Sequence, residues 1–397
     1  MEKQSWMSLR FFTFFFTWGV FIPYWTAWLT TKGFSIEDAG LFVAVGLIVR
    51  AIATFYIFPA LCRRFPLSSL FKWVPLISTV VLLGFIPFDR VEILMAVTVI
   101  FALTYPILLP MNETMATLLA RDHQLDYGKS RLWGSVGYIA ALVLTGWLTS
   151  RYGDTLIVYI MLASCAVLSL QAFAGEAKTV QSRQEQAKAP LMDLFKSPAF
   201  VICLAICMLI QGAHAAYNGF GVVYLQQLKV DNTLIGWIMV LAVISEIAFF
   251  YLSKRFFTNM SVPVMFTIAA ISSVIRWLAV YLFHDVTVFL LSQTMHSMTF
   301  GLTHFAFIKF VNEHLPGDTI APAQGVYSAL AMSLFPGILT VACGYLYAFS
   351  SHLPFLGMAL VSFPCLFLCY MLQKRLAGMQ MNSSFQQGAG AVARAKP

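Results

Sequence analysis

Polar residues interrupt this chain only at intervals. Between them lie apolar runs of about twenty residues, the length an α-helix needs to cross a roughly 30 Å hydrocarbon core. Twelve such runs predict helices near 8–30, 40–62, 69–88, 92–116, 131–150, 155–174, 199–221, 234–252, 262–283, 286–308, 322–346 and 353–373. The pattern is that of an all-α membrane protein with twelve transmembrane helices. Its longest polar interruption, Gly175–Pro198, contains EAKTVQSRQEQAKAP, with too little apolar content to pack. That stretch divides six spans from six, predicting a bundle over 1–174, a cytoplasmic linker over 175–198, a second bundle over 199–375 and a disordered cytoplasmic tail over 376–397.

Composition sharpens this reading. With 59% hydrophobic and 11% charged residues, the chain has more apolar surface than a soluble fold of its length hides. The net charge of +8 would suit nucleic acid, but the basic residues collect in alternate loops instead. Lys32, Arg90, Arg151 and Lys229 fall on one side and Arg50 and Arg276 inside spans, so the remaining nineteen of the 25 place both termini in the cytoplasm of an inner-membrane protein. The first apolar run lacks a small-residue cleavage site and should remain as a span. The seven cysteines lie in spans or at their ends, where helix packing is the expected role of pairs such as Cys203 with Cys207 and Cys365 with Cys369. No metal site, cofactor motif, P-loop or hydrolase elbow is present in the sequence, which argues against an ATP-driven pump or an enzyme.

Charges inside the apolar runs are the first candidates for function, because each costs roughly 2.5 to 3.5 kcal/mol at the bilayer centre on insertion scales. Glu113, near the end of span four, and Arg131, opening span five, stand at similar depth on adjacent antiparallel helices. They are either a substrate-side pair or a salt bridge that orients the two helices. Glu246 lies halfway along span eight, and a carboxyl without a partner there keeps a proton near neutral pH. Arg276 in span nine and His296 in span ten are its available partners, forming a coupling cluster or a static buried one. Arg50 in span two suits a carboxylate ligand gripped by two parallel hydrogen bonds, or a carboxylate on another span. Gln211, His214 and Asn218 form one polar stripe on span seven that faces water or another helix. His214 and His304 are expected to be hydrogen-bonded structural residues. Among the many aromatics, Tyr24, Trp25 and Tyr138 are candidates to line a cavity and stack on a ring. Pro106, Pro110 and Pro336 permit kinks, and Gly134, Gly137 and Gly146 permit close helix approach.

These residues carry a resemblance. GVFIPYWTAWL in span one, the 18-residue gap from Glu113 to Arg131 followed by LWGSVGY, the 20-residue gap from Arg276 to His296, and Glu246 are similar to the sugar permeases of the oligosaccharide and phenylpropionate permease branch of the major facilitator superfamily. DYGKSRLWGSVGY, MLIQGAHAAYNGF, VIRW, HSMTFGLTHFA, AQGVYSALAM and Arg50 in GLIVRAI resemble the phenylpropionate permeases of the same branch. The resemblance implies two six-helix bundles with a substrate site between them, and import of a small aromatic carboxylate with a proton by alternating access, by a monomer in the lipid bilayer. It implies substrate contacts at Glu113, Arg131 and Tyr138, to which Arg50 and Tyr24 are added as candidates from their own positions; the expected proton carrier is Glu246, helped by His296 and Arg276, with Glu113 second. Thr299 stands where the sugar permeases have a proton-carrying glutamate, and FPALCRRF lacks the acidic residue of the usual superfamily loop. An oligosaccharide or nucleoside proton symporter is the alternative within the family, and a non-transporting membrane receptor the alternative outside it.

Overall fold

The computed structural model describes residues 2–121, 123–174 and 191–378. Among them there is no strand, and nine helices are long and apolar enough to cross a membrane. In chain order the helical segments are α1 (Lys3–Thr31), α2 (Ile36–Arg64), α3 (Leu67–Leu83), α4 (Val91–Arg121), α5 (Tyr127–Tyr152), α6 (Asp154–Phe173), α7 (Pro198–Gln227), α8 (Asn232–Phe256), α9 (Val262–Leu282), α10 (286–314), α11 (Gly317–Phe349) and α12 (Leu353–Gly378). The three outside the nine, α1, α3 and α10, are helical where spans were expected. Residues 175–190 of the expected linker and 379–397 of the expected tail lie outside the described residues. Two corrections follow at the edges. Leu191–Phe195, read as solvated linker, is a short helix whose Leu194 is buried in the second core, and α12 runs on to Gly378.

Helix starts follow the polar residues that end each apolar run. Ser35, Asp126, Ser197, Asp231 and Asp285 each accept a backbone N–H of the first turn of α2, α5, α7, α8 and α10. Lys3 meets Gln124 at 2.7 Å, so the N-terminus and the α4–α5 loop share the end from which α6 leads to the linker. Lys32 meets Asp89 at 2.7 Å at the opposite, far end. Within the first half α1 packs on α5 and α6, and within the second α9 packs on α10 and α12. Contact between the halves runs through α2 against α11, α5 against α8, and α1 against α7.

Glycines set how closely these helices approach. A Cβ at Gly137 would sit 2.2 Å from the carbonyl oxygen of Phe12, so α1 and α5 touch backbone to backbone there. Between the halves a Cβ at Gly146 would lie 2.5 Å from Asn232 O, and one at Gly236 would lie 2.6 Å from Leu142 O. Polar groups close the same region at the far end: Asp154 accepts from Gln226 (2.8 Å) and Asn232 (2.9 Å), and Asn232 also donates to Thr149 (3.1 Å). Ser150 donates to Asp231, and hydrogen bonds from Ser150 and Thr233 hold the Asp231 carboxyl below its ordinary range, so the contact stays ionised at neutral pH. The halves are thus sealed at the far end.

Gly146→Leu should wedge that seal, because the neighbouring atoms, Asn232 O and the Gly236 backbone, are main chain and cannot rotate away. In a Cys62→Ser background, Ser135→Cys inside the cavity should then label several-fold faster with a membrane-impermeant maleimide added from the far side. Unchanged labelling would show that the glycine contact does not hold the halves together.

Candidate functional site

Between the halves lies a cavity of about 530 Å³. Its position coincides with breaks in helical regularity. α2 widens into a π turn at Ala53–Ile57 just after Arg50, and α10 does so at Ser297–Gly301 just after His296. A third π turn, Leu330–Leu334 in α11, supplies Ala331 and Met332 to the wall, and α7 breaks at Ala213 and His214 between wall residues Gln211 and Tyr217. Irregular backbone at membrane depth is tolerated where it is buried in protein or lines a cavity.

The N-terminal wall is aromatic and basic. Phe15 and Trp18 from α1, Leu47 and Arg50 from α2, and Arg131, Ser135 and Tyr138 from α5 line it. The Arg50 guanidinium lies 4.8 Å from the Trp18 ring centre and has no hydrogen bond or ion pair to any described residue. Arg131 differs: its Nε donates to Glu113 at 3.0 Å, while its guanidinium stacks on Phe15 at 4.3 Å. Tyr127 donates its hydroxyl to the other Glu113 oxygen, so that carboxylate is held on both sides. Arg131 reaches the cavity and Glu113 stands behind it. The adjacent-helix pairing expected from the sequence is therefore present, with the arginine as its cavity-lining member.

The C-terminal wall carries Gln211, Tyr217 and Asn218 from α7, Glu246 and Phe250 from α8, His296 and Phe300 from α10, and Thr340 from α11. Glu246 Oε2 is 3.9 Å from His296 Nε2, within ion-pair reach but beyond a hydrogen bond. Behind His296, Arg276 is fully buried; its Nη1 donates to His296 Nδ1 (3.3 Å) and to Thr299 Oγ1 (2.9 Å), and its Nη2 to Gln293 Oε1 (3.3 Å). A guanidinium has only donors, so Nδ1 is the acceptor and the neutral ring carries its proton on Nε2, toward Glu246. The chain continues inward. The Thr299 hydroxyl faces His214 Nε2 (3.0 Å), and His214 Nδ1 donates to the Ile210 carbonyl (3.0 Å).

Three expectations need correction. Arg276 does not contact Glu246 and does not line the cavity; it orients His296 through neutral acceptors, with its face on Trp277 at 4.2 Å. Tyr24 is fully buried with its hydroxyl donating to Leu142 O at 3.0 Å, beside Gly236 under the far-end seal, and is not a cavity residue in this arrangement. Trp25 is likewise buried, stacked on Trp28. The polar stripe on α7 also divides: Gln211 and Asn218 face the cavity, while His214 is buried in the Arg276 network. His304 bonds Tyr327, which bonds Gln211, as expected for a structural histidine.

Several wall residues, among them Trp18, Phe15, Tyr217 and Phe300, were not singled out from the sequence, because in aromatic-rich runs nothing local separates a cavity face from a lipid face. Arg10 was grouped with the cytoplasmic basic residues, yet it is fully buried, with Nε on Asn112 at 3.1 Å, its face on Phe71 at 4.4 Å, and both terminal nitrogens without a partner among the described residues. Its place inside the first apolar run was the available signal.

Membrane-length helices from both halves of the chain, packed tightly at one end around a cavity lined by charged and aromatic side chains, are the architecture of a membrane transport protein. Residues 5–356 match the MFS_1 like family, and the chain belongs to it. It is 32% identical over 93% of its length to a probable 3-phenylpropionic acid transporter of Escherichia coli (strain K12), covering 97% of that protein. It is 22% identical over 82% of its length to the putative nucleoside transporter YegT of the same strain, covering 80% of that protein. Among solved structures, nucleoside transporter NupG superposes with a TM-score of 0.80 at 16% identity, over 94% of this chain and 99% of that one.

Proposed function

We propose that this transporter imports a small aromatic carboxylate of the 3-phenylpropionate kind together with a proton, as a monomer in the inner membrane with both termini in the cytoplasm. The observation that carries the substrate reading is Arg50, a cation in the cavity wall with no counter-charge among the described residues, beside the aromatic faces of Trp18, Phe15 and Tyr138. A carboxylate fits the guanidinium fork and its ring fits the aromatic wall. The 3-phenylpropionic acid named for the E. coli relative has that chemistry. Arg131 adds positive potential, held in place by Glu113. Glu246, on the opposite wall with the His296 Nε2–H directed at it, is the proposed proton carrier, and Arg276 fixes the histidine's orientation.

The far-end contacts support a reading by alternating access. Breaking the Asp154, Asn232 and Gln226 hydrogen bonds would open the far end to external substrate, and re-forming them returns the site toward the linker end. Uptake of labelled 3-phenylpropionate and of a galactoside into vesicles, with and without a proton gradient, tests this. Gradient-driven accumulation of the acid alone is expected; accumulation of the sugar without the acid would overturn the substrate, and accumulation of neither would favour a receptor.

A further inference from the structure

The two walls of the cavity are chemically unequal. On the N-terminal wall Arg50 and the aromatic rings account for a carboxylate and an aromatic ring, which are all that 3-phenylpropionate offers. On the C-terminal wall Tyr217 and Asn218 line the cavity, and neither the Tyr217 hydroxyl nor the Asn218 carboxamide has a hydrogen-bond partner among the described residues. They sit on adjacent positions of α7, just past its break at Ala213 and His214; His214 is committed to Thr299 and Ile210 and the Gln211 amide nitrogen to Tyr327 and Phe300 O, while the Gln211 side-chain oxygen is a further acceptor without a partner among the described residues.

When the halves close on a substrate, water leaves and every polar group on the wall needs a partner from the ligand. A purely apolar ring would leave the Asn218 amide and the Tyr217 hydroxyl unpaired, and a buried unmet hydrogen-bonding group is unfavourable. A carboxamide both donates and accepts, and so does a tyrosine hydroxyl. The complementary group on a ring whose carboxylate is already held at Arg50 is a phenolic hydroxyl, which also donates and accepts. A site built to bond a hydroxyl discriminates against the analogue lacking it, because its own polar groups are then stranded.

We infer that the substrate is a ring-hydroxylated aromatic acid, with Asn218 and Tyr217 as the residues that read the hydroxyl. This rests on the aromatic-carboxylate reading above. The test is uptake by the full chain in proteoliposomes of labelled 3-phenylpropionate, 3-(3-hydroxyphenyl)propionate and 3-(4-hydroxyphenyl)propionate under one imposed gradient. At least one hydroxylated acid should show kcat/KM about tenfold above the parent acid, the equivalent of one net hydrogen bond. Asn218→Leu should bring that ratio to within about threefold of unity, and Tyr217→Phe should lower it.

The outcomes separate the two claims. If no aromatic acid is taken up, the aromatic-carboxylate reading fails and this inference with it. If the parent acid is carried as well as or better than both hydroxylated acids, only the inference is overturned. A preference that survives intact in both Asn218→Leu and Tyr217→Phe removes these residues as its source. Should Asn218→Leu not fold, the wild-type ratio and Asn218→Ser decide the matter.

Discussion

Arg50→Gln should cut the efficiency of aromatic-acid uptake by at least about 30-fold, read as a rise in KM, while the protein remains folded and monodisperse. The magnitude follows from removing one partner of a desolvated charge pair, which costs about 2 kcal/mol or more, with each 1.4 kcal/mol worth a factor of ten. Glutamine keeps the side chain's polarity and can still donate, but it loses the charge and the two-pronged fork. Arg50→Lys keeps the charge without the fork or the stacking on Trp18, so it should fall between, about tenfold below wild type. The folded state is expected to survive, because no described side chain relies on Arg50 for a hydrogen bond or ion pair. Wild-type efficiency in Arg50→Gln would remove the proposed carboxylate anchor and shift attention to Arg131.

Glu246→Gln is expected to abolish accumulation while sparing exchange of labelled for unlabelled substrate across the membrane. The substitution is nearly isosteric, so it leaves the wall's shape and the His296 contact in place and removes only the titrating group. A carrier coupled to one proton can hold about a tenfold substrate gradient per unit of pH difference, since one unit corresponds to about 1.4 kcal/mol. An uncoupled carrier holds none. Glu113→Gln run in parallel distinguishes the two carboxylates. Because Glu113 is occupied by Arg131 and Tyr127, its loss should weaken substrate binding by freeing Arg131, with coupling retained. Loss of coupling in Glu113→Gln with full accumulation by Glu246→Gln would reverse the assignment.

These expectations rest on a division between what pattern reveals and what packing reveals. Helix positions were legible because a lipid-crossing segment must satisfy its backbone internally and be apolar over its whole length, a signal that needs no tertiary context. The Glu113 and Arg131 pair was legible too, since a short loop fixes the relative depth of two adjacent helices. Arg276 and Glu246 could not be separated the same way. Their spans are adjacent, but which face of each meets His296 depends on the rotation of helices packed in three dimensions. Tyr24 was misplaced for the same reason: its run is apolar on every side, and only Gly236 coming against Leu142 shows that it lies under the seal. The aromatic wall was hidden because Trp18 and Phe15 differ from lipid-facing neighbours only in what stands opposite them.

By itself the sequence determined an all-α membrane architecture divided by a polar linker, and a short set of ionisable residues too costly to leave in lipid without purpose. Apolar length and isolated charge are local quantities, fixed residue by residue. Beyond the Glu113 and Arg131 pair, only the tertiary structure decided which of those charges are already spoken for. Arg276 is held by neutral acceptors, whereas Arg50 reaches the cavity with no counter-charge among the described residues. Compensation of a charge is a property of whatever comes within a few ångströms of it, and those neighbours arrive from helices distant in the chain.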